Sequence, residues 1–176
     1  GLVVNFFFYI PLMAGSVVDM QMGLSMASTY DPASGIQVTA TSSLLNILMS
    51  LLFFVTNGHQ TLIRIFAASG LVVPFGSVAL GDNFYPAMIQ LFIECTVLGV
   101  KLSMPILAAE IMGQVGMGIL MKAIPQINVF AINIEFKVIV GLVMLILLIL
   151  PISEYLLDME TEMLLTIQHM LPLLSG

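Results

Sequence analysis

Apolar residues come in long runs along this chain, and short polar breaks separate them. From Leu2 to Val18 there is no charge, and such a run lies near the lower limit of roughly 17 to 25 residues for a membrane-spanning helix, with Pro11 placed to kink it. Asp19 ends the run. The stretch from Asp19 to Gly35 is the longest that cannot be a plain apolar helix: Asp31-Pro32 favours a turn, and Gly35 supplies a permissive turn position. In hydrocarbon a loop is tolerated only if protein buries it or it faces water, since its backbone groups need partners. A connector outside the bilayer is the plainer alternative.

A second run, Thr41 to Thr56, opens with a cluster of hydroxyl residues suited to N-capping and is interrupted by Asn57-Gly58. His59 to Ala68 reads as a further helical piece, and a more polar connector begins at Pro74 and reaches about Asn83. Pro86 suits the first turn of a long helical region to Ile124, expected to kink or break near Pro105. Gly99 with Ser103, and Ala109 with Gly113, are small residues at the four-residue spacing that lets helix backbones approach closely. Pro125, Gln126, Ile127 and Asn128 make a sharp break before an apolar helix from about Phe130 to Ile152. From Glu154 the tail is amphipathic, with Tyr155, Met159, Met163 and Ile167 on one stripe and Glu154, Asp158 and Glu162 on another. The expected class is all-α, an integral membrane protein or a subunit buried among others, with kinked helices and a central loop.

Composition agrees with that class. Of 176 residues, 60% are hydrophobic and 8% charged, and the mean hydropathy is +1.13. An ordinary soluble domain is about a quarter charged. A net charge of -6 with four basic residues excludes nucleic acid as a partner and gives no polybasic segment for lipid headgroups. One cysteine, Cys95, excludes an internal disulfide, and its apolar setting suggests packing. The chain opens at Gly1 already hydrophobic, which we read as the C-terminal part of a longer protein.

Little in the sequence suggests catalysis, and no cofactor is expected. His59 and His169 lie far apart without clustered ligands, so no metal site is expected, and there is no glycine-rich phosphate loop. An intramembrane serine protease would pair Ser25, in Gly23-Leu24-Ser25-Met26, with His59. The serine lacks the following glycine of rhomboid proteases. His59 reads more simply as part of a helix break, its ring satisfying freed backbone groups. A small-solute transporter would show paired interrupted helices in two related halves, and none are visible. Asp19 and Glu110 are costly in lipid and need polar partners if protein surrounds them.

Five motifs together resemble the flagellar biosynthetic protein FliR family of type III secretion export gates. They are Asp19-Met20-Gln21-Met22-Gly23; Asp31-Pro32 with Ser34-Gly35; Asn57-Gly58-His59; Pro105-Ile106-Leu107-Ala108; and the run Lys122 to Phe130. Lys122 stands where the family commonly has arginine, and the family's N-terminal helices are absent. Injectisome subunits share the outline, but the Asn-Gly-His break and the Pro-Gln-Ile-Asn-Val-Phe run look more like the flagellar branch.

The resemblance implies one helical export-gate domain over 1–176, with a plug-like loop at 20–40, a long kinked helix and apolar hairpin arm at 84–152, and an amphipathic tail at 153–176. It implies a non-catalytic subunit in the bacterial inner membrane at the flagellar basal body. FliP-like and FliQ-like subunits and membrane lipid would surround it, FlhB and FlhA would adjoin it, and unfolded flagellar export substrates would pass through. The implied pore plug comprises Met22, Gly23, Leu24, Ser25, Met26, Tyr30, Asp31, Pro32 and Gly35. Asn57, Gly58, His59, Pro105, Lys122, Pro125, Gln126 and Asn128 would set helix breaks and packing. Methionine suits such a closure, being unbranched and adaptable, and Met20, Met22 and Met26 cluster there.

Overall fold

A computed structural model describes residues 1–24, 29–31, 36–72, 84–123 and 129–172. The organising helix is α1, Leu2–Met22, whose buried positions Phe7, Ile10, Pro11, Ala14, Gly15, Val18, Asp19 and Met22 recur every three or four residues. It packs against three later helices. The helix does not stop at Asp19 as its charge suggested. It runs one turn further because that carboxylate finds donors on a neighbouring helix, and it ends at Gly23, whose φ of 80° is the left-handed cap conformation glycine adopts without strain.

A small ribbon follows, β1 (Thr29–Asp31) antiparallel to β2 (Ile36–Val38), with Tyr30 opposite Gln37. Helices α2 (Ala40–Val55) and α3 (Gly58–Val72) come next, bent by 69° at the Thr56-Asn57 break. Buried Leu45, Met49 and Phe53 put one stripe of α2 against the core. The two longest helices are α4 (Phe84–Ala123) and α5 (Val129–Met170). Neither is broken by its internal proline, Pro105 or Pro151, so of the kink or break expected near Pro105 the break is absent. The polar connector expected over 74–83 lies outside the described residues.

Contacts fix how these helices run. Phe6 meets Phe92 at 6.1 Å between ring centroids, and a side chain at Gly99 would touch Ile10, so α1 and α4 run parallel. Gly113 faces Phe136 and Val140, while the Tyr155 hydroxyl donates to the Leu98 carbonyl at 3.3 Å. The pair α4 and α5 is therefore an antiparallel hairpin. Its half nearest α1 holds buried Leu91, Cys95, Leu102, Ile106, Ile152, Leu156, Met159 and Met163. Beyond that, Met112, Val115, Ile119 and Ile139 are exposed apolar side chains, as are Ile146 and Leu150 of α5. By length and apolar composition three helices suit a membrane, or four if the bent α2–α3 pair is one span.

Candidate functional site

Two groups of buried polar side chains of this apolar chain lie where helices end. At the base of the 23–38 loop, Asp19 is fully buried; its Oδ2 accepts from the Thr41 amide at 2.7 Å and its Oδ1 from the Thr41 hydroxyl at 2.5 Å. The first amides of a helix lack intrahelical partners, so Asp19 caps α2 from another helix. The hydroxyl cluster meant to do this works differently. Thr39, at the N-cap position, makes no side-chain cap bond and instead shares a 2.8 Å hydrogen bond with the Ser42 hydroxyl. Ser42 Oγ also donates to the Leu12 carbonyl of α1 at 2.9 Å. A side chain at Gly15 would strike the Ser42 backbone, so the two helices touch main chain to main chain there. Both stems of the loop are thus fastened together.

Residues read as plug divide at that base. Met22 lies inside α1, fully buried, with its side chain over Gly141 of α5, where an added Cβ would meet its sulfur at 2.8 Å. It is therefore a packing residue of the helix end. Gly23 is the cap, and Leu24 is half-buried against the core. Tyr30 and Asp31 belong to β1. Ser25, Met26, Pro32 and Gly35 lie outside the described residues, as do Pro125, Gln126 and Asn128 at the second break. Lys122 is exposed in the last turn of α4, where a cation complements the helix dipole.

The Asn57-Gly58-His59 break holds a residue that motif reading passed over. Asn57 has φ 61°, a conformation asparagine tolerates better than most residues, and its carbonyl accepts from the Gln60 and Thr61 amides. Glu160 of α5 is 3% exposed beside it, its Oε1 accepting from the Thr56 hydroxyl at 2.6 Å. A Cβ on Gly58 would collide with Glu160 Oε1 and come within 2.7 Å of the Phe53 ring, so only glycine fits. Spacing carries the signal: Leu156, Glu160 and Met163 share one helix face, and Leu156 and Met163 are fully buried. His59 does not satisfy freed backbone groups. Its ring lies 5.3 Å from that of Phe54, and its Nδ1 is buried with no hydrogen bond.

Pro105 and Pro151 face one cleft of about 190 Å³ with Lys101, Leu102, Ile152 and Tyr155. Each proline removes one helical amide donor at the same level of the hairpin. Among the described residues no three His, Cys, Asp or Glu side chains converge in a way that suits a metal.

Residues 1–163 match the family described as "Bacterial export proteins, family 1". The chain belongs to that family. Among relatives of the bacterial export family, the flagellar biosynthetic protein FliR of Escherichia coli (strain K12) is 29% identical, the match covering 99% of this chain and 68% of that protein. FliR of Bacillus subtilis (strain 168) is 27% identical over 76% of this chain and 53% of its own length. The surface presentation of antigens protein SpaR of Salmonella typhimurium is 22% identical over 86% of this chain and 57% of its own. With several relatives, then, the chain spans little more than half their length. The chain is an all-α member of a family of export components, with helices suited to a membrane.

Proposed function

We propose that this chain is a non-catalytic subunit of a flagellar type III protein export gate in the bacterial inner membrane. It joins FliP-like and FliQ-like subunits in a channel that opens toward FlhB and FlhA and conducts unfolded flagellar proteins. The observation that carries this reading is the family match across residues 1–163, with relatives named for flagellar biosynthesis. Helix length supports it. At about 1.5 Å per residue, α4 and α5 are each roughly 60 Å long, about twice the hydrocarbon thickness of a bilayer. Two such helices with apolar outer faces suit an assembly in which other subunits cover what lipid does not.

In the same reading the loop between α1 and α2 plugs the closed channel. The bonds between Asp19 and Thr41 fasten the two stems of this excursion at its base, which would hold them in place while the plug opens. An apolar constriction also excludes ions by dewetting. The test is resting ion conductance in cells making the full-length protein. Shortening the loop between Leu24 and Val38, or Met26→Ser, is expected to raise conductance while the complex still assembles. An assembled complex that stays tight to ions after both changes places the seal elsewhere. Met22 is left out of this test because its burial against Gly141 makes its substitution a packing lesion.

A further inference from the structure

Inside the α4–α5 hairpin, Glu110 is 1% exposed and its Oε1 has no hydrogen-bond partner; one turn on, Gln114 Nε2 is also buried without one. Residues four apart on a helix lie side by side on one face. That side of α4 meets α5, since a Cβ built on neighbouring Gly113 would lie 3.1 Å from the Phe136 ring.

A carboxylate oxygen lacks a donor and an amide nitrogen lacks an acceptor, one turn apart on the same helix face. Leaving buried polar atoms unmet is costly, and native proteins almost always avoid it. One small molecule that both donates and accepts would satisfy the set. Buried waters do this, typically through about three hydrogen bonds to protein groups that would otherwise be unsatisfied.

We propose that Glu110 and Gln114 form a binding site for an ordered water within the α4–α5 hairpin. The water donates to Glu110 Oε1 and accepts from Gln114 Nε2. If the Gln114 amide is turned over, the same water donates to both side chains, so the site does not depend on that assignment. The consequence is a hydrated carboxylate in the middle of an apolar hairpin, and so a level of the arm that is not bare hydrocarbon.

The site makes Glu110 and Gln114 interdependent, and that is measurable in the full-length protein within its purified complex. Glu110→Leu and Gln114→Leu are each expected to lower the thermal midpoint by a few degrees, because each strands the other group. The double variant is expected to recover most of that loss, and Glu110→Gln, which can still bond to water, to stay near wild type. Single replacements that each raise the midpoint, or effects that simply add, overturn the proposal. Should a variant fail to assemble, a high-resolution map of the wild-type complex decides: density between the two side chains is expected, and a dry gap there refutes the site.

Discussion

The Asp19 carboxylate and Thr41, 22 positions apart in sequence, are joined by two hydrogen bonds in a fully buried setting, so the end of α1 caps the start of α2. Hydrogen bonds to a charged group contribute about 1.5–3 kcal/mol. Asp19→Ala removes both and leaves the first turn of α2 uncapped. We expect a loss of roughly 2 kcal/mol or more, seen as lower thermal stability and less subunit in the complex. Thr41→Ser keeps both donors and is expected to remain near wild type. Equal damage from the two changes would mean that the bonds to Thr41 are not what matters at Asp19.

Glycines here sort by what surrounds them. Gly15 lies against the Ser42 main chain, which has nowhere to go, whereas at Gly99 the nearest atom is 3.6 Å away, an ordinary contact. Gly15→Ala is therefore expected to part α1 from α2 and abolish stable folding, while Gly99→Ala is tolerated. Pulse proteolysis of the two full-length variants reads the contrast, and comparable resistance would refute the packing described.

Among the described residues, no atom of another element lies within 4 Å of a Cβ built on Gly116 or Gly118. Substituting leucine there is expected to leave the subunit's own fold intact. If neighbouring subunits cover this part of α4, the same change reduces recovery of the complex. Recovery unchanged at both positions would show that this face meets lipid or water instead.

Gly58 and Glu160 form a second cross-helix junction, 102 residues apart in sequence. Glu160→Gln keeps an acceptor for Thr56 and is expected to fold, whereas Glu160→Leu is expected to destabilise by about 1–3 kcal/mol, through the lost Thr56 bond and a branched side chain forced into the same space. Chemical denaturation of the purified complex distinguishes them, and equal midpoints would contradict the role given to the carboxylate.

The helices and the Asn57 break were legible in the sequence because apolar periodicity and a polar Asn-Gly pair are local signals. What was not legible depends on partners distant in the chain. Asp19 looked like a terminator, since the Thr41 donors that let α1 pass it cannot be seen from its neighbours. Met22 looked like loop material because nothing nearby announces Gly141, and Glu160 looked like one more acid in an acidic tail until Leu156 and Met163 placed it on the buried face. Pro105 was read as a kink or a break, and packing against α1 and α5 carries α4 past it without a break.

The central claim is membership of an export gate, and purification tests it most directly. The full-length protein, tagged and extracted in mild detergent from cells with the remaining flagellar genes intact, should bring down FliP-like and FliQ-like subunits in fixed ratio. Deleting it should abolish export of flagellar proteins. A chain that purifies alone as a stable monomer, from cells whose flagellar export persists after its deletion, would contradict the account.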